Sequence, residues 1–389
     1  MIKYCIVLFL AFIGAGCAQM ARSSIEQEQG SHYISQPLSS VSPFEGLEHL
    51  FTEPRHYVAH FTDTAPAIDG HLDDEVWQQA VWTDLFTDIE GDTKPAPSYL
   101  TRVKMAWDNT YLYIAAELKD PHVWATLTEH DEVVFHDNDF EVFIDPDNDT
   151  HQYFEVEVNA LNTIFDLFMS KPYRNNNGAL IAWDMHGLKS AVQVQGTLNN
   201  TTDTDEGWTV EMAIPFRSVT IGNHTKVPQE GTLWRINFSR VQWDVDVEDG
   251  RYVKRKAEDG KPLPEHNWVW SPQGVVNMHL PERWGYLYFT RKAAGNSPVA
   301  FSLPHAERQK QYLWLVYYRQ KEYFGKHGRY SQSLKELGLE SSVVQVEGQE
   351  NRMMLEAGTL QFMAAIQGTD GQVWGINENG FVHKIKGLL

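Results

Sequence analysis

The sequence is nearly free of cysteine: only Cys5 and Cys17 occur, both within the first seventeen residues. If Cys5 leaves with a signal segment on export and Cys17 carries lipid, neither a disulfide nor a thiolate metal ligand remains. The fold must then rest on its core, and 389 residues suffice for that, with room for more than one domain. Basic residues are in the minority, with 32 Lys and Arg against 52 Asp and Glu, a formal charge of −20. That balance argues against nucleic acid and anionic lipid headgroups, both of which ask for basic patches. The apolar run at residues 6–13 is too short to span a bilayer, which takes ~20 residues. Motifs of familiar chemistry are missing too. There is no G-x-S-x-G elbow, no H-E-x-x-H, no Walker loop, no dinucleotide fingerprint and no C-x-x-C-H haem attachment.

What is there begins with a signal. Lys3, the apolar run and then Gly14-Ala15-Gly16-Cys17 make a secretory segment whose small residues end on a cysteine, resembling a bacterial lipobox. The expectation is cleavage before Cys17 and lipidation of Cys17, which places the protein outside the cytoplasm, held to a membrane by a lipid anchor only. The alternative is a plain signal peptide cut near Ala18. Residues 18–50 are polar and without periodicity, and read as a flexible tether.

Residues 54–291 read as many short strands separated by turns. Val103, Met105 and Trp107 share one face, as do Leu112, Ile114, Ala116 and Leu118. Trp208, Val210, Met212 and Ile214 form another apolar face, and Trp234, Ile236, Phe238 and Arg240 a further one. This pattern predicts an all-β antiparallel sandwich. In residues 139–159 two strands flank an acidic turn. Phe140, Val142 and Ile144, with Phe154, Val156 and Val158, point to a buried side. Glu141, Phe143, Asp145, Tyr153, Glu155, Glu157 and Asn159 point the other way. Rings, carboxylates and an amide on one face suit a polyhydroxylated ligand, and equally an ordinary solvated face. Glu141, Glu155 and Glu157 also have the residue types of a glycosidase carboxylate pair. At the turn, Asp145, Asp147 and Asp149 flank Asn148, an oxygen set suited to structural Ca2+, or simply to a solvated turn. Residues 299–389 change character, with a helix from His305 followed by a meander of strands, and predict a smaller α+β domain.

The order of motifs resembles the family-9 carbohydrate-binding modules. Ile68-Asp69-Gly70, Asp74 and Trp77 are similar to the family's opening segment, and Trp107-Asp108-Asn109 with Tyr111-Leu112-Tyr113 to its hairpin. Asp139-Phe140-Glu141-Val142-Phe143-Ile144-Asp145, Glu211-Met212-Ala213-Ile214-Pro215 and Trp284-Gly285 resemble its later strands. The resemblance covers residues 54–291. It implies a jelly-roll-like β-sandwich that binds carbohydrate, and structural calcium. It also implies a ligand site in which two aromatic rings sandwich a terminal sugar. Phe135 stands in the place of the first ring and Met278 near that of the second, with Trp268 and Trp270, close before the closing strand, as candidates to replace the missing ring. Glu141 matches the hydroxyl-binding carboxylate and Asn159 a polar partner. Glu157 stands where sugar binders carry arginine. The function so implied is noncatalytic binding of neutral oligosaccharide ends at the cell envelope, in polysaccharide capture or catabolism. Alternatives are a structural or assembly domain with a degenerate sugar site, a glycoside hydrolase component, and a haem-binding relative using Met278.

Overall fold

The computed structural model describes residues 42–176, 178–295 and 299–386. Cys17, the signal and most of the expected tether lie outside them. Among the described residues no helix is long and apolar enough to cross a membrane.

The first part of the described chain is built from β1 (His56–Phe61), β2 (Thr87–Asp88), β3 (Thr101–Trp107), β4 (Tyr111–Lys119), β5 (Asp139–Asp145), β6 (Tyr153–Asn159), β7 (Ile164–Met169) and β8 (Ala179–Leu180). It continues through β9 (Lys189–Gln195), β10 (Gly207–Pro215), β11 (Leu233–Gln242), β12 (Val245–Glu248), β13 (Arg251–Lys254), β14 (His266–Val269) and β15 (Gly285–Thr290). One long sheet runs β8-β7-β6-β5-β11-β15-β1-β3-β4-β10-β9 and curls on itself, with β14 and β2 branching from β11. Its two halves face each other across the predicted core. Trp107, Ile114, Val142, Val156, Trp208, Met212, Trp234 and Phe238 all lie in that cluster. The sheet is mixed rather than wholly antiparallel, because β1 pairs in parallel with both β15 and β3.

The motif residues hold this sandwich together. Glu211 is fully buried and accepts hydrogen bonds from Trp77 Nε1 at 2.6 Å and from the amides of Asp69 and Gly70 at 3.0 and 2.8 Å. Gly70 has φ +89°, and a Cβ there would lie 2.8 Å from the Gln193 nitrogen, so only glycine fits. Asp108 Oδ1 accepts the amides of Thr110 and Tyr111, and its Oδ2 the Tyr113 hydroxyl, which closes the β3–β4 hairpin. Gly285 lies flat against the Trp270 ring, where a Cβ would come within 2.4 Å.

The C-terminal part is a helix packed on a five-stranded antiparallel meander. The short helix α1 (Glu75–Gln79) lies in the sandwich, and α2 (His305–His327) ends on Gly328 in the left-handed conformation. The meander runs β16 (Val343–Val346), β17 (Gln349–Ala357), β18 (Phe362–Gln367), β19 (Val373–Asn377) and β20 (Val382–Lys384). Leu313, Val316 and Tyr317 of α2 pack on Met353, Ala364, Ile366 and Ile376. The expected tether ends earlier than residue 50. Leu47 and Leu50 are buried in this same cluster, with Glu48–Leu50 in a short 3-10 turn.

Candidate functional site

β5 and β6 pair antiparallel, with Glu141 directly opposite Glu157 and Phe143 opposite Glu155. β11 lies on the far side of β5, placing Ser239 opposite Glu141. Strand alternation therefore gathers Asp139, Glu141, Glu155, Glu157 and Ser239 on one face. The reading of that face as open to solvent is corrected by the structure: none of these side chains is more than 5 % exposed. Ile89, Val134, Phe165, Leu167, Met169, Met278 and Trp284 form a second small core there with Phe143 and Tyr153.

Burial dominates the electrostatics of this face. It raises the Glu141 carboxyl to about 7, with the Glu265 charge adding to the effect and Ser239 opposing it. Glu155 and Glu157 are pushed well above the usual carboxylate range, first by burial and then by the Glu141 charge. Asp139 is raised for the same two reasons. Carboxyls in this state donate as well as accept hydrogen bonds near neutral pH.

Phe135 sits where the sequence places it, on the Val134–His136 turn just before β5. Its amide donates to Glu157 Oε2 at 3.1 Å, and its carbonyl accepts from Trp243 Nε1 at 2.9 Å. The ring is half-buried and packs beside Trp124 and Trp243. The other expected residues are placed differently. Asn159 donates to the Leu127 carbonyl and to Asp137, and accepts the amides of Leu161 and Thr163. It pins two loops rather than facing a ligand. Trp270 is 1 % exposed and belongs to the main core beside Phe238, so it is not a substitute ring. Met278 is buried among Phe143, Tyr153 and Trp284, and its carbonyl accepts from Trp284 Nε1.

One residue beyond Met278, the His279 ring takes its place on this face. Its Nδ1 lies 2.8 Å from the Tyr153 hydroxyl and its Nε2 3.8 Å from Glu155. Burial lowers it to about 4, so the ring is neutral. Tyr173 stacks edge-on against it at 4.4 Å and is 46 % exposed. Burial, followed by the Glu155 and Glu157 charges, raises the Tyr173 hydroxyl. The loop carrying Tyr173 is fixed by its neighbours. Arg174 makes a two-pronged pair with Glu282 at 2.6 and 3.0 Å, and Asn175 donates to the Asn379 carbonyl. Sequence reasoning missed Tyr173, Asp139 and Ser239. The only sequence signal for Tyr173 is an aromatic in the Pro-Tyr-Arg loop between β7 and β8.

Asp145, Asp147 and Asp149 each offer an oxygen within 4.8 Å of the others. Asp145 is fully buried and accepts the amides of Asn148 and Thr150. Burial, followed by Asp147, raises the Asp149 carboxyl to about 7, and Asp145 is pushed up by burial and then by its two neighbours. A hard cation would relieve that repulsion, so the donor set fits Ca2+. The turn also meets the C-terminal part. Glu307 of α2 accepts from Asn148 at 2.9 Å, Tyr286 at 3.1 Å and Lys310 at 2.7 Å, and pairs with Arg235 at 3.3 Å.

Comparison with known proteins gives four findings. Exoglucanase XynX of Acetivibrio thermocellus is 30 % identical over 233 residues, 59 % of this chain. Endo-1,4-beta-xylanase A of Thermoanaerobacterium saccharolyticum is 29 % identical over 160 residues, 41 % of this chain. This chain spans only 17 % and 12 % of the lengths of these two relatives. A family 9 module from Caldicellulosiruptor kristjanssonii, solved with cellotriose, covers 64 % of this chain and 100 % of its own length. It is 17 % identical, with a TM-score of 0.42. The model of the carbohydrate family 9 binding domain-like family matches residues 68–262, half of the chain, and the protein belongs to that family.

Proposed function

We propose that this protein is a noncatalytic carbohydrate-binding protein whose site is reached at the edge of the β5–β6 face, where the part-exposed rings of Phe135 and Tyr173 lie beside the buried Glu141 and Glu157. One observation carries the reading. Glu141 and Glu157 oppose each other directly, and Glu157 is bonded to the turn that carries Phe135. Rings stack on sugar CH faces, and carboxyls near their pKa exchange hydrogen bonds with hydroxyls in both directions. Neutral oligosaccharide ends fit this chemistry. A uronic acid does not, because its charge meets other carboxylates. Relatives named as an exoglucanase and a xylanase make gluco- and xylo-oligosaccharides the first ligands to test. Asp145, Asp147 and Asp149 would hold a structural Ca2+ at the turn. Lipidation at Cys17 would hold the protein outside the cytoplasm, and Cys17→Ala should then leave the membrane fraction after a high-salt wash.

Calorimetry against neutral mono- and oligosaccharides tests the site. The expected Kd lies between about 10 μM and 1 mM. Glu141→Ala should weaken binding at least tenfold, since a hydrogen bond to a charged group is worth ~1.5–3 kcal/mol. No heat with any sugar, or equal affinity in the variant, would overturn this site and favour a structural role. Release of reducing sugar that depends on Glu141 or Glu157 would favour a hydrolase.

A further inference from the structure

We propose that Asp139, Glu141 and Glu157 form a buried binding site for a hard divalent cation of the Ca2+ class, separate from the turn at residues 145–149. The three side chains come from adjacent strands and share one face, and each offers an oxygen within 4.8 Å of the others. That spread matches oxygens around one ion with bonds of about 2.3–2.6 Å. An acidic cluster alone would not suffice, since such clusters can simply hold protons.

The second observation is a set of buried polar atoms that lack partners. Asp139 is fully buried. Its Oδ1 accepts the Val241 amide at 3.1 Å, while its Oδ2 has no hydrogen bond. Ser239 is also fully buried, directly across the ladder from Glu141. Its Oγ leans on that carboxylate without a well-formed hydrogen bond. Buried polar atoms are nearly always satisfied, so two such atoms beside one cluster point to a missing ligand. The Arg240 charge reaches Asp139 but is paired with Asp120 at 3.2 Å. His279 approaches Glu155 at 3.8 Å, but among the described residues no Lys, Arg or His forms an ion pair with Asp139, Glu141 or Glu157.

The donor chemistry selects the ion. Carboxylates and a hydroxyl are hard oxygen donors, without the nitrogen or sulfur that zinc prefers. Mg2+ holds several waters in a strict octahedron, which three carboxyls no more than 5 % exposed do not suit. Ca2+ accepts irregular oxygen shells. Binding would displace the protons that the buried carboxyls hold, so affinity should rise with pH.

The test uses the full chain depleted with chelator, in a background of Asp147→Asn and Asp149→Asn that silences the turn. CaCl2 is titrated by calorimetry at pH 8. One Ca2+ per chain is expected, with affinity falling at least a hundredfold when Asp139→Asn or Glu141→Gln is added. Repeating the titration in two buffers of different ionisation enthalpy should reveal proton release. Both added substitutions remove a buried charge, so in chelator they should melt no lower than their parent, which separates lost binding from lost folding. No uptake in this background, or unchanged uptake with both substitutions, would overturn the site. The carbohydrate reading fails separately, by sugar titrations that give no heat with or without Ca2+.

Discussion

Two groups of buried glutamates in this protein meet opposite fates. Glu211 has its oxygens filled by the Trp77 indole and two amides, so it is a knot that ties the opening loop to β10. Glu141 and Glu157 face each other, and their charged forms are disfavoured. Glu211→Ala should therefore cost stability heavily, because the buried Trp77 indole and Gly70 amide and the part-buried Asp69 amide lose their acceptor at once. A loss of about 3 kcal/mol or more in urea unfolding is expected. A change below about 1 kcal/mol would show that water replaces the carboxylate without penalty. At this scale the sequence is informative about which residues point together and poor on what covers them. Alternation correctly grouped Glu141 with Glu157. It gave no sign that residues 276–284 fold over that face. That covering segment is why Met278 is packing rather than platform. Trp270 lies in the main core on the other side, against Gly285.

Among elements, strands within hairpins were legible and those joined across the molecule were not. The β3–β4 and β5–β6 pairs follow from period-2 patterning around turn residues, as does the β16–β20 meander. The parallel contacts of β1 depend on residues 56–60 meeting residues 286–290, and no local pattern encodes that meeting. The loop between β7 and β8 is a similar case. Its Tyr173 reaches the carboxylate face only because Arg174 is clamped by Glu282, which also accepts the Tyr318 hydroxyl of α2 at 2.7 Å. Two substitutions separate anchoring from contact. Tyr173→Ala removes a half-exposed ring and should leave the melting temperature unchanged, while weakening oligosaccharide binding about fivefold, the value of roughly 1 kcal/mol of ring stacking. Arg174→Ala leaves Glu282 buried and unpaired, so it should lower both the melting temperature and the affinity. If Tyr173→Ala binds sugar as the wild type does, the ring is only a cover for His279.

For the whole molecule, the surplus of acid sets how stability responds to pH. Asp139, Glu141, Asp145, Asp149, Glu155 and Glu157 all have carboxyls raised by burial, Glu141 and Asp149 to about 7. A raised carboxyl means the native state holds protons that the unfolded chain has released. Its contribution is fully present below the unfolded value near 4 and is lost as pH rises through the folded value. The neutral His151 and His279 act in the other direction. Burial lowers both to about 4, so their contribution is present above about 6.5 and is lost as pH falls towards 4. Glu307 is held low by Lys310 and Arg235 against the effect of its burial. Its contribution persists above the unfolded value near 4.5 and disappears only in stronger acid. Together these shifts place maximum stability of the cation-free protein near pH 6, with a decline towards pH 8 as the carboxylates ionise against one another. Ca2+ bound at the turn, and at the Asp139 cluster, would hold the ionised forms and should flatten that decline. Thermal melts from pH 5 to 8, in chelator and in millimolar Ca2+, measure both effects. A melting temperature that stays level from pH 6 to 8 in chelator would mean that water reaches these carboxylates and keeps their charges solvated. A decline that Ca2+ leaves untouched would mean that protons alone occupy both clusters.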